Sequence, residues 1–323
     1  MRVLVVTGAS GGHIFPALSF LITLKDKNGE IDTLLVLPKR STVSQIIPDD
    51  YHVKYLPTSS LTLCFDAKNL IALWLFIKGF FLSLFIILEF RPDIVVGFGS
   101  LDSVPIVMLA WLFRIKTLIH EQNVIPGRAN RLLVKFSDKI AISFAKTKSY
   151  LDIDPRKIVL TGNPIRQELK KLEKKMALDF FGFSDNKFTI LVMGGSQGSH
   201  SINLAIMGAI SVMKYNYRLQ VIHICGVKDH DLLYERYRDL SVSVKFKLFT
   251  FLKDMQYAYS ACDLVVCRAG ATTIAELIHF SLPAMIIPYP FAYQHQLCNA
   301  MILRNEGCAD VIEECKLSSD RLR

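Results

Sequence analysis

The chain has 323 residues, 51% of them hydrophobic, and a formal net charge of +9 at pH 7. That length suits two domains with a core each, and the absence of low-complexity tracts and short repeats excludes a solenoid. Seven cysteines, odd in number and without a CxxC pair, argue for reduced thiols in a cytoplasmic protein and against a zinc site.

The opening MRVLVVTG reads as a first strand and lacks the regions of a signal peptide. Short β-rich apolar runs at 2–7, 33–37, 93–97, 116–120, 139–142 and 157–160 alternate with helical patterns. After the linker-like TGNPIRQE (161–168) the rhythm restarts, with strands expected at 188–193, 219–224, 244–249, 263–267 and 284–288. Such alternation predicts parallel sheets with helices on both faces. The fold class is therefore α/β, with two doubly wound Rossmann-like domains, 1–163 and 164–323. Ligands in such folds bind outside the carboxyl ends of the strands, so two such edges facing each other would make a deep cleft.

The segment LIALWLFIKGFFLSLFIIL (70–88) is the outlier. Nineteen residues with one lysine are long enough to span a bilayer. A span would split one sheet across the membrane, and Lys78 and Gly79 interrupt the run. The span is thus the least favoured of three readings; the others are a buried crossover helix, or a helix packed on the sheet by one face. In the last, Trp74, Phe76, Phe80 and Phe81 form an apolar patch that dips into a membrane. Residues 1–166 carry 20 Lys and Arg against 13 Asp and Glu. That surplus favours an anionic partner, such as an anionic lipid surface or a phosphorylated ligand. No zinc-finger, RRM or basic-zipper pattern is present, which argues against nucleic acid.

Three strand–glycine turn–helix patterns recur: GASGGHIFPAL (8–18), ILVMGGSQGSHSIN (190–203) and LVVCRAGATTIAEL (264–277). At such turns the missing Cβ lets an anion approach the backbone, and helix-start N–H groups face it. Three turns point to a phosphorylated ligand. The GK[ST] of a P-loop and the GxGxxG of a dinucleotide fold are both absent, against NTP hydrolysis and NAD binding. GGSQG (194–198) also fits the nucleophile elbow of α/β-hydrolases, with His279 and His295 downstream. That reading leaves the first glycine turn unexplained.

Six motifs stand in one order: GASGGHIFPAL (8–18), HEQNVIPGRANRLL (120–133), GNPIR (162–166), GGSQGSHSIN (194–203), CRAGATTIAEL (267–277) and PAMIIPYPFAYQHQLCNA (283–300). Together they closely resemble the MurG family of bacterial transferases, glycosyltransferase family 28, from residue 2 to about 313. The resemblance implies a two-domain GT-B fold and a UDP-GlcNAc-dependent hexosyltransferase. Its members move N-acetylglucosamine to undecaprenyl-pyrophosphoryl-MurNAc-pentapeptide (lipid I), giving lipid II for peptidoglycan. It also implies a peripheral location on the cytoplasmic face of the inner membrane, with cell-wall and division proteins as further partners. Two departures stand out. The family loop GGYxSGP is GSLDSVP here (99–105), on the presumed acceptor side. The chain also ends about thirty residues before usual members do, so the closing helices are expected to be missing.

The motifs and the resemblance together suggest the chemistry. His13 would be the general base for the MurNAc C4 hydroxyl, since imidazole titrates near neutrality; its plainer reading is a helix-capping or structural histidine. Ser10, Gly11 and Gly12 would bring donors to the phosphorylated sugar or the acceptor. Glu121 is the second choice for the base, or part of a structural network with His120. By resemblance Asn123 bonds the donor sugar or acceptor. Arg166 would reach the diphosphate with its forked donors, and Ser196 would hydrogen-bond phosphate. In the stretch Ala271-Thr272-Thr273-Ile274-Ala275-Glu276, the helix start would bind phosphate. Glu276 would accept the ribose hydroxyls, or be a solvated helix residue. Leu252 would pack near uracil, and Gln296 would read the sugar hydroxyls. No DxD-type pair is apparent, so no metal is required in this reading, although Mg²⁺ can enter with the nucleotide. No carboxylate nucleophile is evident, which implies inversion by direct displacement. The competing readings are another glycolipid glycosyltransferase, a UDP-GlcNAc epimerase sharing the fold, and a non-catalytic UDP-sugar-binding scaffold protein.

Overall fold

Strand β1 (Arg2–Thr7, RVLVVT) shows why a parallel sheet forms. Val3 and Val5 pack towards one helical layer, Leu4 and Val6 towards the other. A strand covered on both faces is an unbroken apolar run rather than an alternating one. The computed structural model describes residues 1–27, 29–39, 47, 51–57, 67–195, 197–213, 218–240, 244–292 and 294–322. Side chains within 67–90 are described from Trp74 onwards, Phe76 excepted. The chain divides into two units, Met1–Gln167 and Glu168–Arg323.

The first unit continues with α1 (Gly11–Lys27), β2 (Asp32–Pro38), β3 (His52–Leu56), α2 (Ala67–Phe90), β4 (Ile94–Phe98) and α3 (Val104–Leu112). Then come β5 (Lys116–Glu121), α4 (Arg128–Leu133), β6 (Lys139–Ile142) and β7 (Ile158–Leu160). Among the described residues these strands form one parallel sheet in the order β3-β2-β1-β4-β5-β6-β7. The strand order reverses between β1 and β4. Arg166 stacks its guanidinium 5.0 Å from the Phe15 ring, and Gln167 Nε2 donates to Asp26 Oδ2 at 2.9 Å. These contacts hold 164–167, expected at the start of the second domain, within the first unit.

The second unit holds α5 (Lys174–Phe181), β8 (Phe188–Met193), α6 (His200–Val212), β9 (Leu219–Ile224), α7 (His230–Leu240) and β10 (Lys245–Phe249). It closes with α8 (Met255–Ala261), β11 (Leu264–Cys267), α9 (Ala271–Phe280), β12 (Ala284–Ile286), α10 (His295–Asn305) and β13 (Ala309–Val311). Its parallel strands run β10-β9-β8-β11-β12-β13, with the reversal between β8 and β11. Val192 and Val221 pack against Ile202, Ile206 and Ile210 of α6.

Two strands were not expected. In β3, HVKYL carries His52 and Lys54 on a half-buried edge, where charge keeps a sheet edge from pairing further. In β13, three residues are too few for a pattern.

Helix α2 packs on the sheet by one face. Phe80, Leu82 and Leu84 lie against the core around Ile86 and Ile87. Trp74, Ile77, Phe81, Phe85 and Leu88, spaced three or four residues apart, are exposed. Phe80, expected in the outward patch, therefore points inward, because one residue rotates the helix about 100°. The Phe76 side chain lies outside the described residues. Among the described residues no helix is long and apolar enough to cross a membrane. The thiols of Cys225, Cys262, Cys267, Cys298, Cys308 and Cys315 are free.

Candidate active site

Doubly wound sheets bind ligands where the strand order reverses, outside the carboxyl ends of the two strands that part there. In the first unit those strands are β1 and β4. The turn after β1 carries Ser10, Gly11, Gly12 and His13. Ser10 and Gly12 are exposed. Ser10 Oγ lies 2.8 Å from His13 Nδ1, and Ser10 O accepts from the His13 and Ile14 N–H groups, both at 3.0 Å. His13 thus sits in the first turn of α1 with its ring tied back to the loop. Burial lowers its pKa, and the charge of Asp102 opposes that.

The turn after β4 runs through Gly99, with φ +73°. A Cβ there would sit 3.2 Å from His13 Cδ2, so glycine is needed for both backbone angle and space.

The end of β5 holds His120 and Glu121, and the loop after it holds Asn123. His120 Nε2 lies 3.1 Å from the Gly162 carbonyl oxygen, with the Phe98 ring 5.2 Å from its own. Burial pushes its pKa down to about 4, so it is neutral near pH 7. Glu121 is 1% exposed. Its carboxylate accepts from the Asn123 N–H (2.8 Å), Asn123 Nδ2 (3.3 Å), the Gly127 N–H (2.9 Å) and Asn130 Nδ2 (2.8 Å). Burial raises its pKa, against the pull of these four donors. A carboxylate so enclosed has no path to a substrate hydroxyl. Glu121 is therefore a positioning residue that shapes the 121–130 loop, not the alternative base expected from sequence.

In the second unit the parting strands are β8 and β11. The turn after β8 needs glycine at Gly198, where φ is +76° and a Cβ would meet the Cys225 carbonyl oxygen at 2.0 Å. Ser196 lies outside the described residues. The 225–229 segment behind the turn is held by a buried network. Asn203 Nδ2 donates to the Cys225 carbonyl (2.9 Å) and to Asp229 Oδ2 (2.7 Å). Asn203 Oδ1 meets His223 Nε2 at 3.0 Å, and Tyr237 Oη lies 3.1 Å from His223 Nδ1.

Helix α9 starts directly after β11, with Gly270 extended before Ala271. The first-turn N–H groups of such a helix have no acceptor within it, which suits Ala271, Thr272 and Thr273 to an anion. Ile274 is different. Its side chain is fully buried and its N–H donates to the Gly270 carbonyl at 2.9 Å. Both its groups are committed to the fold, so Ile274 drops out of the direct contacts expected. Ala275 is half-buried beside it. Glu276 is buried and accepts from Tyr259 Oη at 2.7 Å, which orients one carboxylate oxygen and corrects the view of a solvated residue. Gln296 Oε1 accepts from the Ala269 N–H (3.1 Å) and the Tyr289 N–H (2.9 Å), tying the β11 and β12 loops together. Leu252 is buried on the loop after β10, next to exposed Phe251.

Arg268 received no role from the sequence, although it lies within CRAG. Its guanidinium bonds Glu314 through Nη1 (2.8 Å) and Nη2 (3.1 Å), Ser199 Oγ (2.7 Å) and the Ile287 carbonyl (3.2 Å). It clamps both switch-point turns to the C-terminal segment. The signal was an arginine before the third glycine turn. Among the described residues, no three His, Cys, Asp or Glu side chains group as a metal ion would need.

Two parallel doubly wound units with glycine turns at both reversals make a GT-B fold, and the family matches give the class, a glycosyltransferase. Residues 3–142 match the glycosyltransferase family 28 N-terminal domain, and residues 189–323 match its C-terminal domain. The chain belongs to glycosyltransferase family 28. It is 36% identical over 328 residues to a protein of Thermodesulfovibrio yellowstonii, covering 100% of this chain and 88% of that one. A Desulforamulus reducens protein is 34% identical over 328 residues, with the same coverage. Both are named UDP-N-acetylglucosamine--N-acetylmuramyl-(pentapeptide) pyrophosphoryl-undecaprenol N-acetylglucosamine transferase. Acinetobacter baumannii MurG shares the fold at TM-score 0.76 and 23% identity, over 99% of this chain and 88% of that one. A UDP-GlcNAc 2-epimerase of Methanocaldococcus jannaschii shares it at TM-score 0.64 and 15% identity, over 97% and 89%.

Proposed function

We propose that this chain transfers N-acetylglucosamine from UDP-GlcNAc to the MurNAc C4 hydroxyl of lipid I, with inversion, forming lipid II for peptidoglycan synthesis. The observation that carries the reading is the full-length similarity to proteins named for that transfer. In this reading His13 takes the C4 hydroxyl proton as the oxygen attacks the anomeric carbon. The bond from that carbon to the diphosphate oxygen breaks, and UDP leaves. An imidazole at the tip of the β1 turn, held by Ser10, suits a general base. Ser10, Gly11 and Gly12 offer backbone donors beside it, and Glu121 orients Asn123 towards the sugar or acceptor.

In the second unit, Ser196 and the α9 start at Ala271, Thr272 and Thr273 meet the charge of the leaving diphosphate. Glu276 accepts the ribose hydroxyls, Leu252 packs against uracil, and the Gln296 amide reads the sugar. No metal ion is required by this scheme, and any Mg²⁺ would arrive on the nucleotide.

We also infer peripheral attachment to an anionic membrane on the cytoplasmic face of the inner membrane, where lipid I would be met and where cell-wall and division proteins would be neighbours. The exposed stripe Trp74, Ile77, Phe81, Phe85 and Leu88 supports attachment, as does the basic surplus of residues 1–166.

The test is transfer of labelled N-acetylglucosamine from UDP-GlcNAc to a short-chain lipid I analogue, with and without detergent. Product is expected from the wild type and not from His13→Ala. No product while UDP still binds would overturn the reaction. Flotation with anionic liposomes tests attachment: equal flotation of wild type and a Trp74→Ser/Phe81→Ser variant would reject it.

A further inference from the structure

We propose that Asp102, on the turn after β4, is a positioning residue for His13: its buried carboxylate belongs to the turn against which the imidazole that takes the acceptor's proton rests. This rests on the reading of His13 as the base.

Strands β1 and β4 are parallel neighbours, with Thr7 level with Phe98. The turns that leave them touch. A Cβ on Gly8 would lie 2.5 Å from the Ser100 Cβ, and one on Gly99 would lie 3.3 Å from His13 Nε2. The imidazole therefore rests against the β4 turn. Asp102, two residues beyond Ser100, is 3% exposed. A carboxylate is buried at high cost unless donors or positive charge meet it. Ser100 Oγ supplies one donor, to Asp102 Oδ2 at 2.8 Å. Ser100 itself is strained, with φ 70° and ψ 152°, a region that glycine occupies far more readily. A glycine there would relieve the strain and lose the hydroxyl that orients the carboxylate.

The surroundings of His13 leave Asp102 as the charge that matters. Ser10 Oγ, at Nδ1, is neutral. His120, on β5, is held neutral by burial. Glu121 is enclosed by Asn123, Gly127 and Asn130. Arg166 lies over Phe15. Burial lowers the His13 pKa, and the negative charge of Asp102 acts the other way. An imidazole that burial alone governed would be a weak base. A nearby carboxylate stabilises the imidazolium formed as the hydroxyl is deprotonated.

The experiment follows the His13 Cε1–H by NMR titration of the full chain without substrates, alongside the pH profile of kcat/KM for transfer to a short-chain lipid I analogue. Asp102→Asn is expected to lower the proton affinity of His13 about tenfold. It should also shift the acid limb of kcat/KM to lower pH and reduce the plateau, with KM for UDP-GlcNAc unchanged. Asp102→Glu should restore part of both. Ser100→Ala, which keeps the carboxylate, gives a smaller shift in the same direction and serves if Asp102→Asn does not fold. An unshifted His13 titration, with His13→Ala inactive, overturns the role of Asp102 alone. Full turnover in His13→Ala overturns the base reading and this role with it.

Discussion

The turn after β1 and the turn after β8 occupy the same place in their sheets, at the carboxyl end of a central strand where strand order reverses. Their side chains differ in kind. The first carries a titratable imidazole, with Asp102 acting on its charge. The second is held by permanent donors and close backbone contact: Arg268 clamped to Glu314 and Ser199, and Gly198 pressed on Cys225. One architecture thus carries two kinds of turn, which suit the two tasks proposed for them. A group that must gain and lose a proton needs a tunable surrounding, whereas a group that must hold an anion needs fixed dipoles.

The sharpest way to break that division is His13→Ala. Loss of about 10²–10⁴-fold in transfer is expected, with UDP affinity by calorimetry unchanged. A matching fall in UDP affinity would show that the first turn binds donor as well. Gly198→Ala should act the other way. The added methyl meets a carbonyl oxygen at 2.0 Å in a left-handed residue, so a loss of roughly 2–4 kcal/mol in urea unfolding is expected, together with weaker UDP binding. Wild-type stability in that variant would mean the turn is looser than its contacts imply.

Each unit also buries one neutral histidine, and acid should expose both. Burial holds His120 at about 4 and His223 at about 3, whereas an unfolded imidazole titrates near 6.5. The unfolded chain then binds more protons, so stability present at neutral pH falls as pH drops through 6.5 towards those values. Unfolding free energies from urea titrations between pH 7 and 4.5 should fall, by about 2–3 kcal/mol per ring and about 5 kcal/mol in all. A flat profile over that window would contradict the burial of these rings. The smallest stability change belongs to Phe85→Ser on the exposed face of α2. It is expected to move unfolding by less than about 0.5 kcal/mol while weakening flotation with anionic liposomes.

Much of the scaffold is legible in the residues. The continuous apolar strands, helical spacing and three glycine turns specify two doubly wound sheets, because burial on both faces demands an unbroken apolar run. Strand β3 escapes notice because an edge strand mixes His52 and Lys54 with apolar residues. Arg268 escapes because its partner Glu314 lies 46 residues away.

From sequence alone came the two-unit α/β architecture, a local matter of periodicity and turn chemistry. The resemblance of six motifs to a known family gave the family and the positions of His13, Arg166 and Glu276 within them. Tertiary structure decided what depends on neighbours distant in the chain. It turned Phe80 inward and left Phe85 outward, enclosed Glu121 in four donors, committed Ile274 to the core, and laid the β4 turn that carries Asp102 against His13. A side chain's charge state and direction follow from what surrounds it, and those surroundings form only when the strands are brought side by side.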